Sequence, residues 1–379
     1  MIPFDTIATI VLVLVLSFIV VLNKKKLKFQ RALGIFFVAM YKTKAGISTI
    51  DKIAKRHQKL IKKTALFMII IGFIGMAIVT FDLSRSIIKL LLGGATPTVG
   101  VVLPVQAKGV FYVPFVYWII SIFLILIVHE GSHGVMARAL GLPVKKTGLL
   151  VMGVLLPLIP GAFVEPDEKK LSKAKTKDQL AVYAAGPFAN IIAAFIFLLL
   201  LTTALNPIAE TLYAKDGVEI TSLMAGENPA KQAGIIPGEK IVGIDNKPIN
   251  DVDEFSKAIR SKHPGDKINL ITSNSIYEIT LKENPENKKA WLGVYVEQPL
   301  ANPNIFTKGF IWVKDLVFWL FLLNLGVGLF NLVPLGPIDG GRMLLAVLQK
   351  YTPKASAIWK TVSVFILCLL LTNVFAAFF

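Results

Sequence analysis

The sequence predicts a polytopic α-helical membrane protein of about six transmembrane helices, with one re-entrant segment and a small extracytoplasmic α/β domain. Three observations predict it. Hydrophobic residues make up 54% of the 379 positions and are gathered into runs of bilayer length instead of amphipathic stripes. The formal charge of +17 is concentrated, with thirteen Lys and Arg between positions 24 and 63 and a second cluster at 169–177. The positive-inside rule assigns both stretches to the cytoplasm. Residues 208–299, finally, break the apolar pattern with polar, alternating segments.

The first apolar run, 5–22, lacks a small-residue cleavage site and precedes three lysines, so it reads as a retained anchor whose N-terminus lies outside. Residues 27–40 set Lys28 and Arg31 beside Phe, Ile and Leu, which suggests a helix lying in the interface. The run 64–80 exits the membrane, and 81–112 forms an external segment broken by Gly and Pro. The third run, 113 to about 140, returns inward and ends at Arg138, Lys145 and Lys146. Residues 147–164, TGLLVMGVLLPLIPGAFV, are apolar but hold two prolines and three glycines between basic flanks. With both ends cytoplasmic, the expectation is a re-entrant, strand-like segment whose backbone is satisfied by protein or a water-filled cavity.

The run 180–205 then leads outward to the polar domain at 208–299. That domain shows strands in VEITSL and INLITSNSIYEITLK, a turn at PGEK, and a helix DVDEFSKAIRS opened by Asn250 or Asp251. Residues 311–333 return, Arg342, Lys350 and Lys354 mark the inner side, and 355–379 exits. The expected organisation is an N-terminal membrane extension (1–112), a first part of the membrane core (113–207), the external domain (208–299) and a second part of the core (300–379). The lone cysteine, Cys368, excludes disulfides and a cysteine metal site. The basic excess reports topology and a lipid bilayer as partner, and nucleic acid is a poor explanation for it.

Chemistry concentrates in VHEGSHGVMAR, residues 128–138, where two of the four histidines fall inside an apolar span. His129 and His133 are four apart, one helical turn, close enough to share an ion. Neutral imidazoles suit zinc, and Glu130 beside the first can take a proton from a water that the metal polarises. Interhelical hydrogen bonding or an ion pathway would be the blander use of such groups. A catalytic zinc needs a third protein ligand. Glu165, Glu168, Asp178 and Glu210 are each explained by solvated charge or ion pairing. Asp339 differs, because it follows an inward-running helix in FNLVPLGPIDGGRMLLAVL, framed by prolines and glycines that break the helix. Alone it could equally cap the next helix. The derived topology brings it to the same cytoplasmic half as the histidines.

Asn190, in AVYAAGPFANIIAAF, begins its span level with the candidate metal, and could donate to a substrate carbonyl or make an interhelical hydrogen bond. Asn331 divides the same way. A metal or proton transporter would use similar ligands, but would predict inverted repeats and more midplane charge than the chain holds.

In order, HEGSH, GPFAN and NLVPLGPIDGG make the chain resemble the site-2 proteases, intramembrane zinc metalloproteases. KQAGIIPGEKIVGIDNKPINDVDEF resembles the PDZ segment that such proteases insert between the second and third motifs. The resemblance covers about residues 113–348. It implies zinc ligands at His129, His133 and Asp339, Glu130 as base, and substrate positioning by Asn190 and Asn331. It also implies a transmembrane-helix protein as substrate, often pre-cleaved, and a peptide ligand for the PDZ-like domain. The family commonly has Gly where this chain has Ser132, a position that is not a ligand. The first hundred residues lie outside the common core.

Overall fold

The computed structural model describes residues 4–32, 36–92, 100–153, 159–284 and 288–378. It divides into two units, one formed by residues 1–199 and 316–379, the other by residues 200–315.

The first unit starts with α1 (Phe4–Leu22), β1 (Lys28–Ala32), β2 (Phe36–Thr43), α2 (Ile47–Arg56) and α3 (Gln58–Leu91). It continues with β3 (Val101–Leu103), β4 (Val110–Tyr112), α4 (Phe115–Ala139), β5 (Val144–Gly153), β6 (Ile159–Pro166), α5 (Glu168–Leu171) and α6 (Thr176–Leu200). Among the described residues six helices are long and apolar enough to cross a membrane, and they fall on the six apolar runs. A helix satisfies its backbone polar groups internally, which is why a long, predominantly apolar run takes this form. The ends of α4 are tied down by charge. Asp5 accepts from the Phe115 N–H at its start (3.1 Å), and Arg138 at its end pairs with Asp51 of α2 (2.6 Å).

Residues 147–164 do not form a helix. β5 and β6 pair antiparallel, with Leu149 opposite Ala162 and Thr147 opposite Val164, while 154–158 lie outside the described residues. The interfacial helix expected at 27–40 is corrected, because β1 and β2 are strands and the sheet runs β1-β2-β5-β6. Seven pairs join β2 to β5, from Phe37 opposite Gly153 to Thr43 opposite Thr147. Phe37, Val38 and Tyr41 suit a pleated surface, and this distant pairing outweighs the weak helical pattern. Gly148 makes the pairing possible, since a Cβ there would stand 2.2 Å from the Tyr41 carbonyl oxygen. At the base of the hairpin Asp167 accepts from the Lys169 and Lys170 N–H groups and pairs with Lys145 (3.1 Å). The Lys145 contact holds its carboxyl below the ordinary carboxylate range.

The second unit holds a π-helical turn (Leu201–Leu205), α7 (Asn206–Leu212), β7 (Val218–Leu223), α8 (Pro229–Gln232), β8 (Lys240–Ile244), β9 (Lys247–Pro248) and α9 (Val252–Arg260). The strands β10 (Lys267–Thr272), β11 (Ile276–Thr280), β12 (Lys282–Glu283), β13 (Ala290–Trp291) and β14 (Val294–Glu297) complete it. The main sheet runs β11-β10-β8-β7-β14, all antiparallel, with β9 beside β8. Alternation along these strands buries Val218, Ile220, Ile241, Ile268 and Leu270 in one core. Asp251 caps α9 by accepting from the Glu254 N–H (2.8 Å), and Glu254 accepts from the Asn250 N–H (2.9 Å).

The last helices are α10 (Ile305–Asn331), α11 (Asp339–Tyr351) and α12 (Ala355–Ala376). The membrane unit packs around small residues of α6, Ala181, Ala184 and Ala185, against Met136 of α4 and Met343 of α11. Between α10 and α11 the backbone turns tightly. A Cβ on Gly340 would lie 2.2 Å from the Leu332 carbonyl oxygen, and one on Gly341 2.4 Å from the Leu335 carbonyl. The two glycines let α11 start directly beneath the end of α10, and this fixes where Asp339 points.

Candidate active site

His129 and His133 lie on the buried face of α4, and Asp339 is the first residue of α11, with Ile338 at the cap position. Asp339 therefore does not cap its helix. Its Oδ2 stands 3.1 Å from His129 Nε2 and 3.2 Å from His133 Nε2, and the two Nε2 atoms are 3.2 Å apart. All three residues are at most 8% exposed. His133 Nδ1 lies 2.7 Å from the Val182 carbonyl oxygen, which can only accept, so Nδ1 carries the proton and the neutral ring turns an Nε2 lone pair inward. With both Nε2 lone pairs turned inward, three donor atoms at such distances could hold one cation between them.

The triangle fits one divalent ion. Ligand bonds near 2.0–2.1 Å in a tetrahedral arrangement set donors about 3.3 Å apart and leave one position open. The backbone of α6 passes directly over this triangle at Gly186. A Cβ there would sit 2.3 Å from His133 Nε2 and 2.8 Å from His129 Nε2. No other residue type leaves the ligand atoms free. Among the described residues these three side chains are the one group of histidines and acids so arranged.

Glu130, one position along α4, turns to the hairpin, and its Oε2 accepts from the Val164 N–H of β6 (2.9 Å). It borders a cavity of about 420 Å³ shared by both histidines, Asp339, Tyr183 and Asn331. Glu165 and Glu168 also line the cavity without joining the triangle, Glu165 paired with Lys42 and Glu168 3.8 Å from Arg342. Asn331 faces the cavity and donates to the Val327 carbonyl (2.9 Å). Asn190 is fully buried, does not line the cavity, and brings its Nδ2 3.0 Å from His129 Nδ1. The Ser132 hydroxyl bonds back to the Val128 carbonyl (2.7 Å), away from the triangle.

Sequence reasoning did not single out the Val182 carbonyl or the Val164 N–H, since backbone groups leave no residue-type signal. Gly186 was legible only as a point of close helix approach.

Residues 117–371 match the family model of peptidase family M50. The chain belongs to peptidase family M50. It is 29% identical over 347 residues to an uncharacterized protein of Methanocaldococcus jannaschii, covering 89% of this chain and 84% of that one. A Mesorhizobium japonicum protein named as a zinc metalloprotease is 23% identical over 43% of this chain, and an Enterococcus faecalis protein named as a protease is 21% identical over 49%. The chain spans 59% and 54% of those two. Two solved PDZ domains, of SdrC-like proteins from Listeria monocytogenes and Listeria innocua, are 22% and 24% identical, with TM-scores of 0.20 and 0.19. They cover 21% and 24% of this chain, and 87% and 98% of theirs is matched. As a member of M50 the chain is a multi-pass membrane metalloendopeptidase.

Proposed function

We propose that this M50 peptidase is a zinc-dependent intramembrane endopeptidase that cuts within transmembrane helices of other membrane proteins. The observation that carries the reading is the His129–His133–Asp339 triangle set between apolar helices, with Glu130 beside it on the same cavity. Zinc held by the two Nε2 atoms and Oδ2 would supply Lewis acidity, polarising a peptide carbonyl and making water easier to deprotonate. Glu130 Oε2, already aimed by Val164, takes that proton and returns it to the departing amide nitrogen. Asn331, on the cavity wall, is the side chain best placed to hold the substrate backbone.

A peptide bond inside a helix is protected by its own hydrogen bonds, so the substrate must arrive unwound. β6 suits that task. It is an edge strand, and since the Val164 N–H points away from β5, the alternation of N–H directions turns the Ala162 N–H outward too. Beside this edge an apolar cavity of about 740 Å³ is walled by α1, α4, β2 and β5. It shares Leu150 with the catalytic cavity. An extended substrate segment would add to β6 and lead its scissile bond to Glu130. The Lys and Arg distribution favours this site in the cytoplasmic half of the cell membrane, with the N-terminus and the PDZ-like unit outside. A substrate already trimmed of its external domain, and a peptide for the PDZ-like unit, follow from the same reading.

Purified protein assayed against a model transmembrane helix tests it. Cleavage that is lost on zinc chelation and restored by zinc is the expected result, and cleavage indifferent to chelation would refute it.

A further inference from the structure

We propose that Asn190 is a positioning residue of the metal centre, its amide oxygen accepting the Nδ1 proton of His129 and so holding the His129 Nε2 lone pair on the metal. The inference rests on the metal-site reading above and adds a residue to it. Three observations carry it. Asn190 has no exposed surface and stands outside the cavity that a substrate could enter. Its Nδ2 stands 3.0 Å from His129 Nδ1, the one hydrogen bond its side chain makes among the described residues, and its Oδ1 is buried without a partner. The other ligating histidine is held by the same device, the Val182 carbonyl 2.7 Å from His133 Nδ1.

The chemistry of the ring decides which end of the amide faces it. Ligation through Nε2 leaves the proton of a neutral imidazole on Nδ1, so the group opposite must accept. In Asn190 only the oxygen can accept, and it can exchange places with the nitrogen by rotation of the amide alone. A Cβ added to Gly328 of α10 would be 3.2 Å from Asn190 Cβ, so α10 packs closely against the base of this side chain. Partners of this kind set the tautomer and orientation of a ligand, and their loss typically costs 10–100-fold in metal affinity.

The sequence leaves Asn190 open between a donor to the substrate, which the resemblance implies, and an interhelical hydrogen bond, and the substrate role separates cleanly from the one proposed here. Asparagine can both donate and accept, aspartate only accepts, and leucine does neither. The experiment measures zinc affinity by competition with a chelating dye, using full-length purified wild type, Asn190→Asp and Asn190→Leu. Zinc affinity should fall on the order of 10–100-fold in Asn190→Leu and return to within about threefold of wild type in Asn190→Asp. Unchanged affinity in folded Asn190→Leu would overturn the proposal, as would an Asn190→Asp protein as weak as Asn190→Leu. Should Asn190→Leu fail to fold, 15N spectra of histidine-labelled, zinc-loaded wild type keep the test: His129 must be ligated through Nε2 with a protonated Nδ1, and ligation through Nδ1 would end the idea. A wild type that holds no zinc would refute the metal-site reading itself, whereas equal affinities refute only the role of Asn190.

Discussion

At position 186 a single methyl group decides whether two histidines can share an ion. Because the Cβ of Gly186→Ala would fall 2.3 Å from His133 Nε2, the ligand end of the ring must move. We expect zinc affinity to drop on the order of 100-fold while the helical content stays, measured by dye competition beside circular dichroism. A variant that binds zinc normally would mean that α6 does not pass over the metal. Asp339→Asn exchanges an anionic ligand for a neutral amide, and zinc content should fall well below one per chain. The histidine pair was legible in the sequence because a spacing of four is a statement about one helix. Asp339 was legible only through topology, since its neighbours suggested a cap as readily as a ligand. The contacts of Gly186 and Val182 were not legible, because each depends on which helix lies opposite, and for Asn190 the sequence offered an interhelical hydrogen bond without its partner.

Among the elements, the long apolar helices were readable from length and composition, for a bilayer leaves the backbone few alternatives. Short strands were harder. The hairpin at 147–164 announced itself through its prolines and glycines, whereas 27–40 looked helical because β5, which holds the β1–β2 hairpin in its sheet, is more than a hundred residues away. The edge of β6 makes a claim that mutagenesis can reach. Proline at Ala162 removes an N–H that points away from β5, so the β5–β6 ladder survives and only the outer edge loses a donor. One backbone hydrogen bond is worth about 0.5–1.5 kcal/mol, so KM for a transmembrane substrate should rise roughly 2–10-fold. Zinc content should not change. Kinetics identical to wild type would argue against strand addition at β6.

On the scale of the whole molecule, the residues we assign to the site come from positions 129 to 190 and 331 to 339, all in the first unit, while the second unit interrupts them in sequence. The ends of that insertion meet. Tyr213 and Leu300 form a β-bridge, and the Ala214 N–H donates to the Pro299 carbonyl (2.8 Å). Replacing residues 215–298 with a short Gly/Ser linker should therefore leave zinc at one per chain, by metal analysis of the purified variant. Loss of the metal would show that the unit is needed to assemble the site.

We propose that Glu130 acts on a peptide bond at a zinc centre inside the membrane. Its most direct test compares wild type with Glu130→Gln, both purified in detergent, for zinc stoichiometry and for cleavage of a model transmembrane helix. Each protein should hold one zinc, and wild type alone should cut. A Glu130→Gln protein that still cuts, or a wild type that cuts without zinc, would contradict it.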